Sequence, residues 1–256
     1  MQRNERLEKM TAMLQTQKYV SIKDMAQQFD VSDMTIRRDL KYLKESNPII
    51  IMNGISIYED TVVKIGQEYD LSGEENSKTE DKRVIGEFAA SLVCPSEIIY
   101  LDMGSTTIHI AQNLPTDIPF TALCNSANIL FELMKRPNIS IKVAGGSYYP
   151  STGVFSSMQG IEYIERFRTN KMFMSAAGVH PTLGVTCSTD YLVRAKQHAM
   201  GISVEKILVV DASKFGIVHS SYCCSLSEID SIITNKSLSE EWQHVIRDLG
   251  IKLYLI

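Results

Sequence analysis

Between Glu5 and Gln17 the apolar residues Leu7, Met10, Met13 and Leu14 recur at spacings of three and four, the period of a helix with one buried face. Tyr19-Val20 reads as a short extended link. Ser21 can then cap a second helix whose apolar stripe is Ile22, Met25, Ala26 and Phe29. Asp30-Val31-Ser32 breaks the pattern, and Ser32 can cap a third helix carrying Met34, Ile36, Leu40 and Leu43 before Pro48 removes the donor needed to continue it. Ile49 to Tyr58 sets β-branched residues on both sides of Asn53-Gly54, a hairpin signal that predicts a two-stranded wing.

From Glu59 to Arg83 the chain turns polar and charged, and 71–77 has the least pattern, so a linker is expected over 59–77. Short apolar runs follow at Ile98 to Met103, Phe120 to Cys124, Ile139 to Ala144, Lys171 to Ala176, Ile207 to Val210, Ile232 to Thr234 and Lys252 to Ile256. Amphipathic stretches separate most of them: Thr107 to Leu114, Ala127 to Lys135, Tyr191 to Val204 and Glu240 to Leu249. Such alternation predicts an α/β domain with a mostly parallel sheet covered by helices on both faces. The expected layout is a winged helix-turn-helix domain over 1–58, the linker over 59–77 and the α/β domain over 78–256.

Composition adds little, being that of an ordinary globular protein, with 44% hydrophobic and 22% charged residues. Charge adds more. The formal net charge is -4 overall, yet residues 1–44 hold nine basic groups against six acidic ones, and the remainder is net acidic. A basic head on an acidic body confines nucleic-acid contact to one end, because only cations near phosphates release counterions. The five cysteines show no CxxC or zinc spacing, which points to reduced thiols and not to a disulfide framework or a metal site. The first residues lack the apolar stretch of a signal peptide, and no run approaches a membrane span, so a cytoplasmic protein is expected.

Ser21 to Glu45 has the length of a helix-turn-helix, whose second helix enters the major groove. On that helix Thr35 and Arg38 share a face, with Asp39 and Tyr42 beside it, while Ile36, Leu40 and Leu43 can turn to the core. Arg offers paired donors to guanine or phosphate, Lys a charge to phosphate, and Thr a hydroxyl or methyl to either. Ser32, Met34, Thr35, Arg37, Arg38 and Lys41 are therefore the candidate contacts to double-stranded operator DNA. By itself Arg-Arg-Asp-Leu-Lys equally suits a solvated helix laced with charge pairs. Three helices at this spacing, a wing and a basic head together favour DNA. Val31-Ser32-Asp33-Met34-Thr35-Ile36-Arg37-Arg38-Asp39-Leu40 resembles the N-terminal signature of the DeoR-type transcriptional repressors. The wing differs: that family usually carries a basic residue and His-Gly-Gly where this chain has Ile51-Met52-Asn53-Gly54, so wing contacts do not carry over.

Leu101 to Thr107 leaves a predicted strand and opens a predicted helix, so a glycine turn, hydroxyls and free amides can converge on an anion there. The same residues also serve as ordinary helix caps. Ligands of open α/β sheets sit beyond the carboxyl ends of strands, where Asn125-Ser126, Gly145-Gly146 and Ala176-Ala177-Gly178 also fall. Asp211 and Lys214, at another strand end, can offer a carboxylate to sugar hydroxyls and an ammonium to phosphate, or can form a surface ion pair.

These loops resemble the sensor domain of the same family, similar in fold to ribose-5-phosphate isomerase. The resemblance implies a sugar-phosphate effector. Gly104, Ser105, Thr106 and Thr107 would hold the phosphate, with Lys78, Asp211 and Lys214 as charged groups around the effector; the strand-end positions themselves add Asp102, Asn125, Gly145 and Gly146 as candidates. Phe120 to Cys124, Ser175 to His180, Gly184 to Cys187 and Ile207 to Asp211 resemble the branch whose effector is 2-deoxyribose 5-phosphate.

The competing reading is an isomerase-like enzyme with an accessory DNA-binding domain, in which Asp102 or Asp211 would serve as base. The five histidines form no metal-binding or triad motif. A regulator without catalytic residues, metal or cofactor is expected, acting as a homodimer or higher homo-oligomer.

Overall fold

The computed structural model describes residues 3–17, 19–45, 47, 49–52, 54–58, 62–64, 73 and 77–256. Two compact units divide the chain, Met1–Val63 and Lys64–Ile256. Most of the expected linker, 59–77, lies outside the described residues.

The first unit holds α1 (Arg3–Gln17), β1 (Tyr19–Ser21), α2 (Ile22–Phe29), α3 (Asp33–Leu43), β2 (Ile49–Met52) and β3 (Ile55–Tyr58). Local chemistry explains the breaks between helices. Ser21 and Ser32 each accept a hydrogen bond from the amide three residues on, at 3.0 and 3.2 Å, and so start α2 and α3. Asp30 stops α2 by adopting φ +51°, a left-handed conformation that aspartate tolerates better than most residues. Leu7, Met10, Leu14, Met25, Phe29, Ile36 and Leu40 close one core between the three helices. The wing forms with Met52 opposite Ile55, and Gly54 takes φ +82° in the turn; Asn53 lies outside the described residues. The Tyr19-Val20 link becomes a third strand, with β1 pairing antiparallel to β3.

The second unit follows the short strand β4 (Val62–Lys64) and is built on seven parallel strands. These are β5 (Ile98–Leu101), β6 (Phe120–Cys124), β7 (Ile139–Val143), β10 (Thr169–Met174), β13 (Ser203–Val209), β16 (Ser231–Thr234) and β17 (Lys252–Leu255), in the spatial order β17-β16-β13-β10-β5-β6-β7. Helices α4 (Thr79–Ser91), α5 (Thr107–Asn113) and α6 (Ala127–Leu133) bury Ile85, Ile110 and Leu133 on one face. Helices α7 (Met158–Glu165), α8 (Tyr191–Gly201) and α9 (Glu240–Asp248) bury Ile164, Leu192 and Ile246 on the other. Two smaller antiparallel pieces join them: a hairpin of β8 (Ser147–Tyr149) and β9 (Val154–Ser156), and a sheet of β11 (Gly178–His180), β12 (Gly184–Cys187) and β15 (Ser221–Cys224), with β14 (Ile217–His219) beside it in sequence.

The strand order decides where a ligand can enter. From β5 the sheet grows one way through β6 and β7, and then the chain returns to place β10 on the opposite side of β5 and grows the other way. Beyond the carboxyl ends of β5 and β10 the connections therefore diverge to opposite faces and leave a crevice.

The turn between β11 and β12 makes a pH-dependent contribution to stability. Buried His180 accepts the amides of Thr182 and Leu183 on Nδ1, at 3.3 and 3.1 Å, and burial pushes its pKa down to about 4. Below about pH 6.5 the unfolded chain takes up a proton here that the folded chain refuses until about pH 4, so the contribution is present above pH 6.5 and fades as the pH falls through that window. Its full size is about 3 kcal/mol. Urea unfolding at pH 7 and pH 4.5 should show a smaller loss for His180→Gln than for the unaltered chain; equal losses would count against it.

Candidate functional site

In the first unit α3 presents Ser32, Met34, Arg37, Arg38 and Lys41 to solvent, with Thr35 half-buried beneath them. Met34 is 75% exposed, which costs a soluble helix and suits apolar contact with a thymine methyl or a sugar. Arg37, Arg38 and Lys41 make no hydrogen bond or ion pair among the described residues and are open to an anionic partner.

Asp39 departs from the expected arrangement. Instead of flanking the exposed face it is fully buried, its Oδ2 held by Arg6 at 2.7 Å and its Oδ1 by Arg3 at 3.1 Å. This removes Arg6, itself buried, from the basic groups that could reach phosphate. Arg3 keeps a half-exposed side chain, with its guanidinium 5.0 Å from the centre of the Tyr42 ring.

In the second unit a narrow cleft of about 20 Å³, the room of a single water, opens at the crevice between β5 and β10, lined by Gly104, Ser175, Ala176, Ser188, Leu192 and Lys196 among others. Gly104 takes φ +156° there, and a Cβ on it would come within 2.9 Å of the Ser175 Cβ, so only glycine lets the two strand-end loops approach. Ser105, Thr106 and Thr107 are buried behind it. The Gly104 carbonyl accepts the Ile108 amide and the Thr107 hydroxyl, at 3.2 and 3.0 Å, and the Thr106 carbonyl accepts the His109 amide at 3.1 Å.

Asp102 sits at the tip of β5 and is buried. Its Oδ2 accepts the Ser175 amide at 3.1 Å and the Lys196 ammonium at 2.6 Å, and Lys196 also donates to the Ser175 carbonyl. Burial opposes the charge on Lys196, but the facing carboxylate outweighs it and holds the proton above the ordinary lysine range.

The remaining candidates take other positions. Asn125 is spent on packing: its Oδ1 accepts the buried Tyr100 hydroxyl at 3.0 Å and its Nδ2 donates to the Phe155 carbonyl. Gly145 and Gly146 serve the β9 end, since Ser157 donates to the Gly145 carbonyl and a Cβ on Gly146 would lie 2.4 Å from the Ser156 oxygen. Asp211 caps the turn Ala212–Lys214 through Ser213, while its buried Oδ2 has no partner among the described residues. Lys214 is half-buried in that turn, and Lys78 is exposed at the start of α4 with φ +52°. Of the expected set, then, the cleft brings together Gly104 directly and Asp102 from beneath. Residue patterns missed Ser175, Ser188 and Lys196. Lys196 did leave a signal: it stands four residues after Leu192 and four before Met200, a charge on the apolar stripe of α8.

A helix-turn-helix head on an α/β domain with a cleft at its switch point is the build of a DNA-binding transcriptional regulator with a sensor domain. Comparison with known proteins agrees. Residues 6–60 match the DeoR-like helix-turn-helix domain and residues 77–236 the DeoR C terminal sensor domain. The chain is 32% identical over 251 residues to the deoxyribose operon repressor of Escherichia coli (strain K12), covering 98% of each. It is 26% identical to the HTH-type transcriptional regulator GlpR of Haloferax volcanii, over 90% of this chain and 89% of that one. Among solved structures it resembles ribose 5-phosphate isomerase A from Methanocaldococcus jannaschii at TM-score 0.42 and 16% identity, over 54% of this chain and 55% of that one. The chain belongs to the DeoR family of transcriptional repressors.

Among the described residues no helix is long and apolar enough to cross a membrane, and no three side chains group to hold a metal ion.

Proposed function

We propose that this protein represses a sugar or deoxyribonucleoside catabolic operon and leaves its operator when a phosphorylated sugar binds the cleft beyond β5 and β10. The observation that carries the reading is the Gly104 turn, pressed against Ser175 at the one point where the sheet reverses direction. The amides that precede Ile108, with the Ser105, Thr106 and Thr107 hydroxyls, take the phosphate. Asp211 and Lys214, at the end of β13, and Lys78 take outer positions.

The similarity to the deoxyribose operon repressor makes 2-deoxyribose 5-phosphate the first effector to try. Release follows from linkage: the effector binds the DNA-incompetent arrangement more tightly and draws the population to it. The protein works in the cytoplasm as a homodimer or higher homo-oligomer on repeated half-sites, with 59–77 joining head and sensor. Sensing is favoured over isomerisation because Asp102, which would have to take up a proton as base, is already paired with a buried ammonium.

Gel shift on an operator selected from random DNA tests this. Binding should weaken as 2-deoxyribose 5-phosphate or another sugar phosphate is titrated in, and should not respond to unphosphorylated deoxyribose. Arg37→Ala or Arg38→Ala should cost about 1–3 kcal/mol of operator affinity without altering the effector response. Indifference to every sugar phosphate, or sustained turnover of one, would overturn the proposal.

A further inference from the structure

The cleft contains two polar groups that the phosphate turn does not use. Lys196 is only 3% exposed and yet lines the cleft, so its ammonium is held out of water within reach of whatever enters. A lysine ammonium carries three hydrogens. One goes to Asp102 and one to the Ser175 carbonyl, which joins the ends of β5 and β10 to α8 through a single nitrogen. Across the same cleft the Ser188 hydroxyl oxygen is buried and has no hydrogen-bond partner among the described residues. A buried hydroxyl left unpaired is costly, and a ligand oxygen would satisfy it.

The Asp102 carboxylate neutralises Lys196, so this lysine does not act as a loose cation for phosphate. Two fixed bonds orient it, and what remains is one directed donor. A directed N–H beside a hydroxyl that can donate or accept suits a neutral oxygen of a polyol, the hydroxyl or ring oxygen of a sugar. Sites built to hydrogen-bond a substrate hydroxyl discriminate strongly against analogues that lack it, because the protein groups are then stranded.

We infer that Lys196 and Ser188 form the sugar-reading edge of the cleft and that this pair, with Asp102 as the positioning residue behind it, sets which phosphorylated sugar is accepted. The inference rests on the reading of the Gly104 cleft as the effector site.

The test is calorimetric titration of the full-length protein with 2-deoxyribose 5-phosphate, ribose 5-phosphate and, as a probe of the phosphate turn alone, inorganic phosphate. Ser188→Ala should bind the preferred sugar phosphate about tenfold more weakly, the loss of one neutral hydrogen bond. The double variant Asp102→Asn/Lys196→Met removes both charges together, so that neither is stranded, and should weaken it by about a hundredfold. In both variants the preference between the two sugar phosphates should flatten, and in Ser188→Ala inorganic phosphate should bind as before. Ser188→Ala is small enough to keep the fold, which a thermal melt verifies. Unchanged affinities and unchanged preference in Ser188→Ala would overturn the sugar-reading edge and leave the effector site standing. An unaltered protein that binds no sugar phosphate would overturn both.

Discussion

Replacing Asp39 with Ala should unfold the DNA-binding head ahead of the sensor domain and abolish operator binding. Asp39 is the sole carboxylate facing Arg6 among the described residues, and both are buried. Breaking a buried pair from one side strands the other charge and costs about 3–5 kcal/mol. A head of this size holds on the order of 5 kcal/mol in total. Thermal denaturation followed by circular dichroism should therefore separate into an early head transition and a later sensor transition, and gel shift should show no complex. Asp39→Asn keeps an acceptor for Arg3 or Arg6 and should fall between. The contrast with Arg38→Ala is informative: that variant should lose affinity while melting normally, because its side chain bonds to nothing within the described protein. An Asp39→Ala variant that melts and binds normally would show that the pair with Arg6 does not hold the head together.

The second large effect is expected at Gly104. Val there meets Ser175 at 2.9 Å from its Cβ and Thr107 Oγ1 at 3.2 Å, with the backbone at φ +156°. Overpacking costs about 1–3 kcal/mol and the strained backbone about as much again. Relief comes by pushing the β5 and β10 loops apart, which distorts the turn we propose for the phosphate while leaving α3 untouched. Operator binding should persist, and the effector needed for half-release should rise by tenfold to a thousandfold, on the order of the same free energy. Gel shift with a graded series of effector concentrations measures it. Release at the ordinary concentration would remove the Gly104 turn from the effector site.

Much of the architecture was legible because its determinants are local. Ser21 and Ser32 were readable as caps since each bonds an amide three residues away. The five inner sheet strands were readable as apolar runs because they are buried on both faces, and the edge strands β7 and β17 because their apolar residues pack, partly buried, against the same cores. The errors lie at the strand ends. The runs Ile98 to Met103 and Lys171 to Ala176 continue past the observed ends at Leu101 and Met174, since Met103 and Ala176 are apolar but line the cleft and not the sheet. Hydrophobicity reports removal from water and does not say whether the neighbour is a ladder partner or a pocket. The helices Thr79–Ser91 and Met158–Glu165 and the small antiparallel sheets also escaped, their patterns being short or diluted by polar residues.

The misplacement of Asp39 has the same origin. A helical wheel groups it with Thr35 and Arg38, and the guanidinium groups of Arg6 and Arg3, thirty-three and thirty-six positions earlier, make its burial tolerable. Likewise no spacing rule connects Lys196 to Asp102 across ninety-four positions of chain. By itself, then, the sequence determined the helices of the head, the α/β alternation of the sensor and the family, because periodicity, caps and motifs act over a few residues. Tertiary structure alone decided which charges are spent inside the protein and which remain to meet a partner. A charge is affordable in a core only when an opposite charge is brought to it, and the chain order does not record that meeting.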